Sequence, residues 1–361
     1  MTVTSGTQED SGTHSGPVNF SAFDYDSLTA PLSRAEVRRF TAAAKPQLRS
    51  ASSAVLMAVS AGLFLLAVVT VFLRVGVRLG DTFPSVSLVP LLSLVVVIAI
   101  VVVLVRAVLP PQGKWSRWTR LDRFARANGL TFLPSGVPSY PGAIFGLGQG
   151  RLATDHLATT SGRYLDLGNY RYSTGSGDDR TTHQWGFLAL KLDQALHHMV
   201  LDARANNGLF GTTTLPISFD RAQVLSLEGD FDRYFRLYCP TGYERDALYV
   251  FTPDLLALLI DESRHFDVEI VDDWMFVYSA ARFDMTDPGT LRRLFRIVDT
   301  VGAKTLRQSA RYSDPRSGGD MVAPAGQRLR RGMPAAAVVV AVIALVIFGA
   351  NAFGSLSTLL G

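Results

Sequence analysis

The chain has 361 residues, a formal charge of +4, and 48% hydrophobic against 18% charged residues, where soluble domains usually carry about 25% charged. So small a charge argues against a basic nucleic-acid binder. The lone cysteine, Cys239, excludes an internal disulfide and any paired-cysteine metal site.

In chain order, residues 1–30 open on MTVTSGTQEDSGTHSGPVNF, rich in Ser, Thr and Gly, and are expected to form a disordered tail. Residues 31–50 read as a juxtamembrane segment with a short helix near 32–44. Three apolar blocks then stand out at 51–73, 85–105 and 335–353. Each is ~20 residues long, enough for a helix to cross a ~30 Å hydrocarbon core. Fifty polar residues precede the first block, which argues against a cleaved signal peptide.

Basic residues set the expected orientation. Arg34, Arg38, Arg39, Lys45 and Arg49 precede the first span, and Arg106, Lys114, Arg117, Arg120, Arg123 and Arg126 follow the second. Arg328, Arg330 and Arg331 precede the third, and the tail beyond it has no charged side chain. Arg74 and Arg78, between spans one and two, dissent mildly. The positive-inside rule therefore places the N-terminus and the large domain in the cytoplasm and the C-terminus outside a bacterial cell membrane. No ionisable residue falls within a span, which argues against a transporter or pump. Ala54, Ala58 and Gly62 recur at four-residue spacing, a small-residue face for close helix packing in the membrane.

Between spans two and three lies the domain, 114–308, followed by an expected flexible linker at 309–333. It begins with WSRWTRLDRFARANGL, a helix with Trp115, Trp118, Leu121, Phe124 and Ala125 at helical spacing, ended by Asn128 and Gly129. Lys114, Trp115, Arg117, Trp118, Arg120 and Arg123 would rest on anionic lipid headgroups; alternatively the helix packs its apolar stripe on the domain. Two β-rich arms around the turn of YLDLGNYRYSTGSGDDRTTHQWGFLALKLD predict a hairpin. Further strand-like runs are HMVLDA, AQVLSLEG, YFRLYCP, VEIVDD and WMFVYSA. Helices are predicted from Thr252-Pro253-Asp254 and from Asp287-Pro288, the latter with Leu291, Leu294, Phe295 and Val298 on one face. Strands and helices that do not alternate strictly argue for α+β, a mainly antiparallel sheet with flanking helices, attached to three transmembrane α-helices.

Motifs for chemistry are sparse. GLGQG at 146–150 and TGSGDDR at 174–180 lack the Gly-Lys-Ser/Thr ending of a phosphate loop and read as turns. No cofactor motif is found. Glu228, Asp230 and Asp232 alternate, so an extended chain would turn all three carboxylates to one side, for a divalent cation or simply for water. The histidines, His14, His156, His183, His197, His198 and His265, show no zinc-binding spacing, and no Gly-x-Ser-x-Gly elbow occurs. Cys239 reads as buried packing.

At SGRYLDLGNYRYSTGSGDDRTTHQWGFLALKL, LSLEGDFDRYF, DALYVFTPDLLALLID and VEIVDDWMFVYS the chain resembles an uncharacterised family of actinobacterial membrane proteins. It resembles more loosely a bacterial domain of unknown function found beside transmembrane helices. The resemblance covers about residues 115–305; it implies membrane anchoring and a single domain, and brings no catalytic residues. Two functions are carried forward: a membrane-tethered, non-catalytic cytoplasmic module that binds a protein partner or senses the membrane surface, and a membrane-bound metal-dependent hydrolase using Glu228, Asp230 and Asp232.

Overall fold

A computed structural model of the protein describes residues 20–48, 62, 112–207, 213–227, 229–317 and 322–332. The expected spans at 51–73, 85–105 and 335–353 lie outside the described residues, Gly62 excepted. Among the described residues no helix is long and apolar enough to cross a membrane. The chain divides into two compact units, one of Ala30–Arg120 and one of Met1–Thr29 with Leu121–Gly361. Helix α1 is Asp26–Thr29, α2 Arg34–Leu48 and α3 Gln112–Ala127.

In the smaller unit, Ser33 and Glu36 start α2 as a reciprocal cap: the Ser33 hydroxyl accepts from the Glu36 amide at 3.1 Å, and the Glu36 carboxylate accepts from the Ser33 amide at 3.4 Å. Phe40 meets Trp115 at 6.4 Å, Trp115 meets Trp118 edge-on at 5.5 Å, and Arg120 donates to the Ala30 carbonyl at 3.1 Å.

The larger unit is an α+β domain built on a seven-stranded antiparallel sheet. Its strands are β1 Leu130–Gly136, β2 Gln149–Thr159, β3 Leu165–Thr174, β4 Thr181–Ala203, β5 Val224–Leu225, β6 Phe235–Tyr238 and β7 Asp267–Ser279. Their order is β1-β2-β3-β4-β6-β5, with β7 on the other edge of β4. The predicted hairpin is β3–β4, in register from Leu165↔Leu190 to Thr174↔Thr181. HMVLDA continues the same long β4, and VEIVDD with WMFVYSA forms a single β7. That strand is bent at Asp272, whose φ is +53°, where the register against β4 shifts.

Four helices follow the strand signals: α4 Glu244–Val250, α5 Pro253–Leu258, α6 Pro288–Ile297 and α7 Ala303–Ser309. Asp287 caps α6 by accepting from the Gly289 and Thr290 amides. Pro288 occupies its first turn, and Leu291, Leu294 and Phe295 are buried. Thr252 precedes α5 as expected, but its hydroxyl donates to Asp254 at 2.6 Å rather than capping a backbone amide. Helix α7 lies against β4, and Gly302, just before it, approaches the Leu190 and Met275 side chains. The opposite sheet face is aromatic: Tyr170, Tyr172, Trp185, Phe187, Phe276 and Tyr278 form a second core, covered by Ile144 and Phe145 at one end and by Leu215, Phe219 and Leu329 at the other.

Two segments expected to lack structure are built into this unit. Residues 20–29, at the end of the expected tail, form a strap on α3 and α6: Phe20 stacks on Phe295 at 5.1 Å, Phe23 meets Phe295 edge-on at 4.9 Å, and Tyr25 packs on Phe124 at 5.6 Å. Arg123 donates to the Ser27 carbonyl at 2.6 Å, and Asn128 accepts from the Asp24 amide at 2.7 Å. Aromatic burial offsets the ordering cost that the polar composition around it argued against. The described parts of the expected linker 309–333, residues 309–317 and 322–332, are likewise tied down. Asp314 accepts from the Arg316 and Ala323 amides and from the Tyr243 hydroxyl. A short helix, α8 Pro324–Gln327, follows, and Arg331 then pairs with Phe219 in an antiparallel bridge.

Candidate functional site

Carboxylates placed among apolar residues in β3, β4 and β7 converge on polar clusters inside the sheet. Asp166 on β3 is 1% exposed and bridges two partners: its Oδ1 lies 2.9 Å from His156 Nδ1, and its Oδ2 accepts from the Tyr140 hydroxyl at 2.7 Å. Tyr140 lies 3.1 Å from the hydroxyl of Tyr164, which is on the surface. His156 follows Asp155, a non-glycine residue at φ +54°, and this irregularity of β2 turns the imidazole toward Asp166. Gly168 makes the approach possible, because a Cβ there would come within 2.4 Å of His156 Cβ. His156 Nε2 is buried and has no hydrogen-bond partner among the described residues.

A second triad of the same make-up lies on β4 and β7, and there every valence is used. Glu269 Oε1 faces His198 Nε2 at 2.9 Å, while Oε2 accepts from the Tyr278 hydroxyl at 2.6 Å and the Ala143 amide at 2.7 Å. His198 Nδ1 accepts from the Leu329 amide at 3.0 Å, which places the ring proton on Nε2, toward the carboxylate. Burial, then the Glu269 charge, pushes the Tyr278 hydroxyl well above its usual range. This triad ties the 140–145 loop and the Leu329 segment to the sheet, and its chemistry is structural.

Asp202 on β4 and Asp267 on β7 are cross-strand neighbours, each about 99% or more buried. Asp267 accepts from the Ala203 amide at 2.8 Å and the Thr214 hydroxyl at 3.3 Å; Asp202 accepts from Thr213 at 2.9 Å. Burial, reinforced by the Asp202 charge, pushes the Asp267 carboxyl up to about 7, and burial raises Asp202 as well. His197 is fully buried and stacked on Tyr243 at 5.3 Å, and burial lowers it to about 4, so it is neutral. The Cys239 thiol is buried and pushed up to about 12 by desolvation, which leaves no thiolate for nucleophilic work.

The residues singled out in the sequence fare differently. Glu228 lies outside the described residues. Asp230 and Asp232 flank and enter a 3-10 turn, Phe231–Arg233, rather than an extended strand, so the premise that put three carboxylates on one side does not hold for this pair. Asp232 accepts from the Ser226 hydroxyl and, at 3.2 Å, from the Leu227 amide, and so organises its own turn. Among the described residues no group of three His, Cys, Asp or Glu side chains is arranged to hold a metal ion.

On α3, Trp118 is buried, Lys114 lies over the Trp118 ring at 4.1 Å, and Arg120 and Arg123 are engaged with the Ala30 and Ser27 carbonyls. Trp115 is partly buried, and Arg117 is exposed. Of Ala54, Ala58 and Gly62 only Gly62 is described, as a helical residue.

Sequence reasoning missed Asp166, Glu269, Asp202 and Asp267. The available signal was a carboxylate inside an apolar strand run, as in LDLGNY and VEIV.

No family model matches the chain, and no curated protein matches it. Among solved structures, the crystal structure of the mycobacterial trehalose monomycolate transport factor A, TtfA, is similar over 53% of this chain and 97% of that one, with 10% sequence identity and a TM-score of 0.33. That likeness is too slight to carry an argument about function.

Proposed function

We propose that the protein is a membrane-anchored, non-catalytic cytoplasmic module that binds a protein partner or senses the membrane surface, held by three transmembrane helices at 51–73, 85–105 and 335–353. The observation that carries this reading is the docked strap. The chain leaves the α+β unit at Thr29 and rejoins it at Leu121, and between these points lie two uncharged apolar runs of membrane-spanning length. A segment whose two ends belong to one folded body must cross a bilayer an even number of times. Two crossings meet that condition and put the strap and the domain on one side; which side is given only by the charge rule.

The non-catalytic part is supported by how the polar side chains are spent. Glu269, His198 and Asp314 are committed to internal hydrogen bonds, and Asp232 to its own turn. The metal-hydrolase alternative finds no supporting geometry in Asp230 and Asp232.

Proximity labelling tests the partner reading, with an ATP-dependent biotin ligase inserted between Gly318 and Gly319. Enrichment of one membrane or cytoplasmic complex over a span-only control is expected. Efficient self-labelling with no enriched protein would remove the partner claim.

A further inference from the structure

The end of the described chain bears on which surface of the domain meets the bilayer. Residues 328–332 are laced to the sheet rather than hanging from it. The Arg330 carbonyl accepts from the Asp220 amide at 3.0 Å and from Gln223 Nε2 at 2.9 Å, and the Arg330 amide donates to Gln223 Oε1 at 2.9 Å. The Gly332 amide donates to the Ser218 carbonyl at 2.8 Å. Gly332 is needed there, since a Cβ would fall 2.5 Å from the Phe219 carbonyl oxygen. The apolar run begins at Ala335, and three residues reach at most ~11 Å when fully extended. A third span beginning at Ala335 therefore holds the Ser218–Gln223 corner within about one Debye length of the headgroups.

That corner carries the charge such a position favours. Arg221, Arg330 and Arg331 are exposed. Asp220 accepts from the Ala222 amide at 3.0 Å, and Arg328 is taken by both carboxylate oxygens of Asp272. Phe219 is buried against Tyr238 and His198, so the corner is rigidly joined to the sheet.

We infer that the Ser218–Gln223 turn and the Arg330–Gly332 strand form the membrane-facing corner of the domain, with Arg221, Arg330 and Arg331 lying on anionic lipid headgroups. This rests on the membrane reading above, specifically on the third span. It assigns headgroup contact to a corner other than α3. The corner fixes how the domain stands on the bilayer and leaves the β3–β4 hairpin tip, at the far end of the long β4, pointed away from it.

The test is made on the full chain in anionic vesicles, with a spin label on Ala222→Cys or on Asp178→Cys, both exposed positions; native Cys239 is buried and stays unlabelled. Relaxation by a lipid-borne nickel chelate should be several-fold stronger at position 222 than at 178. In Arg330→Glu/Arg331→Glu protein the signal at 222 should fall in anionic vesicles and stay unchanged in zwitterionic ones. Protein that floats with the vesicles yet relaxes equally at both positions overturns the corner assignment alone. Protein that does not float with the vesicles overturns the membrane reading, and this assignment with it.

Discussion

Asp267→Asn is the substitution whose effect follows most directly from the physics of the buried carboxylates. In the folded protein the Asp267 carboxyl is pushed up to about 7 by burial, against an ordinary value of 3.8. Below about 3.8 both folded and unfolded chains hold the proton, and the group takes nothing from stability. As pH rises from there to about 7, the unfolded chain ionises while the folded one does not, so stability is lost progressively through that window. Each pH unit is worth about 1.4 kcal/mol, so the loss totals about 4 kcal/mol and levels off above pH 7. Asparagine cannot ionise and keeps an oxygen for the Ala203 amide. The free-energy difference between parent and Asp267→Asn should therefore move by about 4 kcal/mol in favour of the variant between pH 4 and pH 8. Urea unfolding of the full chain in detergent, followed by tryptophan fluorescence, measures that difference at each pH. A difference that stays flat across the window would refute the assignment of a high-pKa carboxyl to Asp267.

The other expectations concern packing and access. Phe295→Ala removes the ring that Phe20, Phe23 and Phe124 pack against and should cost about 3–5 kcal/mol of unfolding free energy. Phe20→Ala/Phe23→Ala should instead leave the sheet folded and make the 20–29 strap the first site of limited proteolysis, read by mass spectrometry. Glu269→Ala leaves His198, the Tyr278 hydroxyl and the Ala143 amide without their shared acceptor, at a cost of about 3 kcal/mol or more; Tyr278→Phe removes one bond and should cost roughly half as much. Cys239 should resist maleimide at pH 8 in the native protein and react on unfolding. Prompt native labelling would contradict its burial and raised pKa.

What the sequence could convey followed from local periodicity. The β3–β4 hairpin, β7, and the start of α6 at Asp287-Pro288 were legible because alternation, turn residues and a capping carboxylate are all local signals. The strap was not legible. Phe20, Phe23 and Tyr25 stand in polar surroundings, and only partners distant in sequence, Phe295 for the two phenylalanines and Phe124 for Tyr25, make their burial favourable. The segment after Ser309 misled for the same reason: SDPRSGGD looks like a linker until Asp314 is seen taking Tyr243, Arg316 and Ala323. Cross-strand neighbours such as Asp202 and Asp267 depend on register, which composition does not reveal.

The central claim is that strap and domain share one side of a membrane and that the C-terminal tail lies on the other. Single cysteines at Asp26, Asp178 and Ser357, probed in intact cells with a membrane-impermeant maleimide, test it most directly. The account predicts labelling at Ser357→Cys in intact cells, and labelling at Asp26→Cys and Asp178→Cys only after permeabilisation. Labelling of Asp26→Cys and Asp178→Cys from opposite sides, or full-length protein recovered in the soluble fraction without detergent, would contradict it.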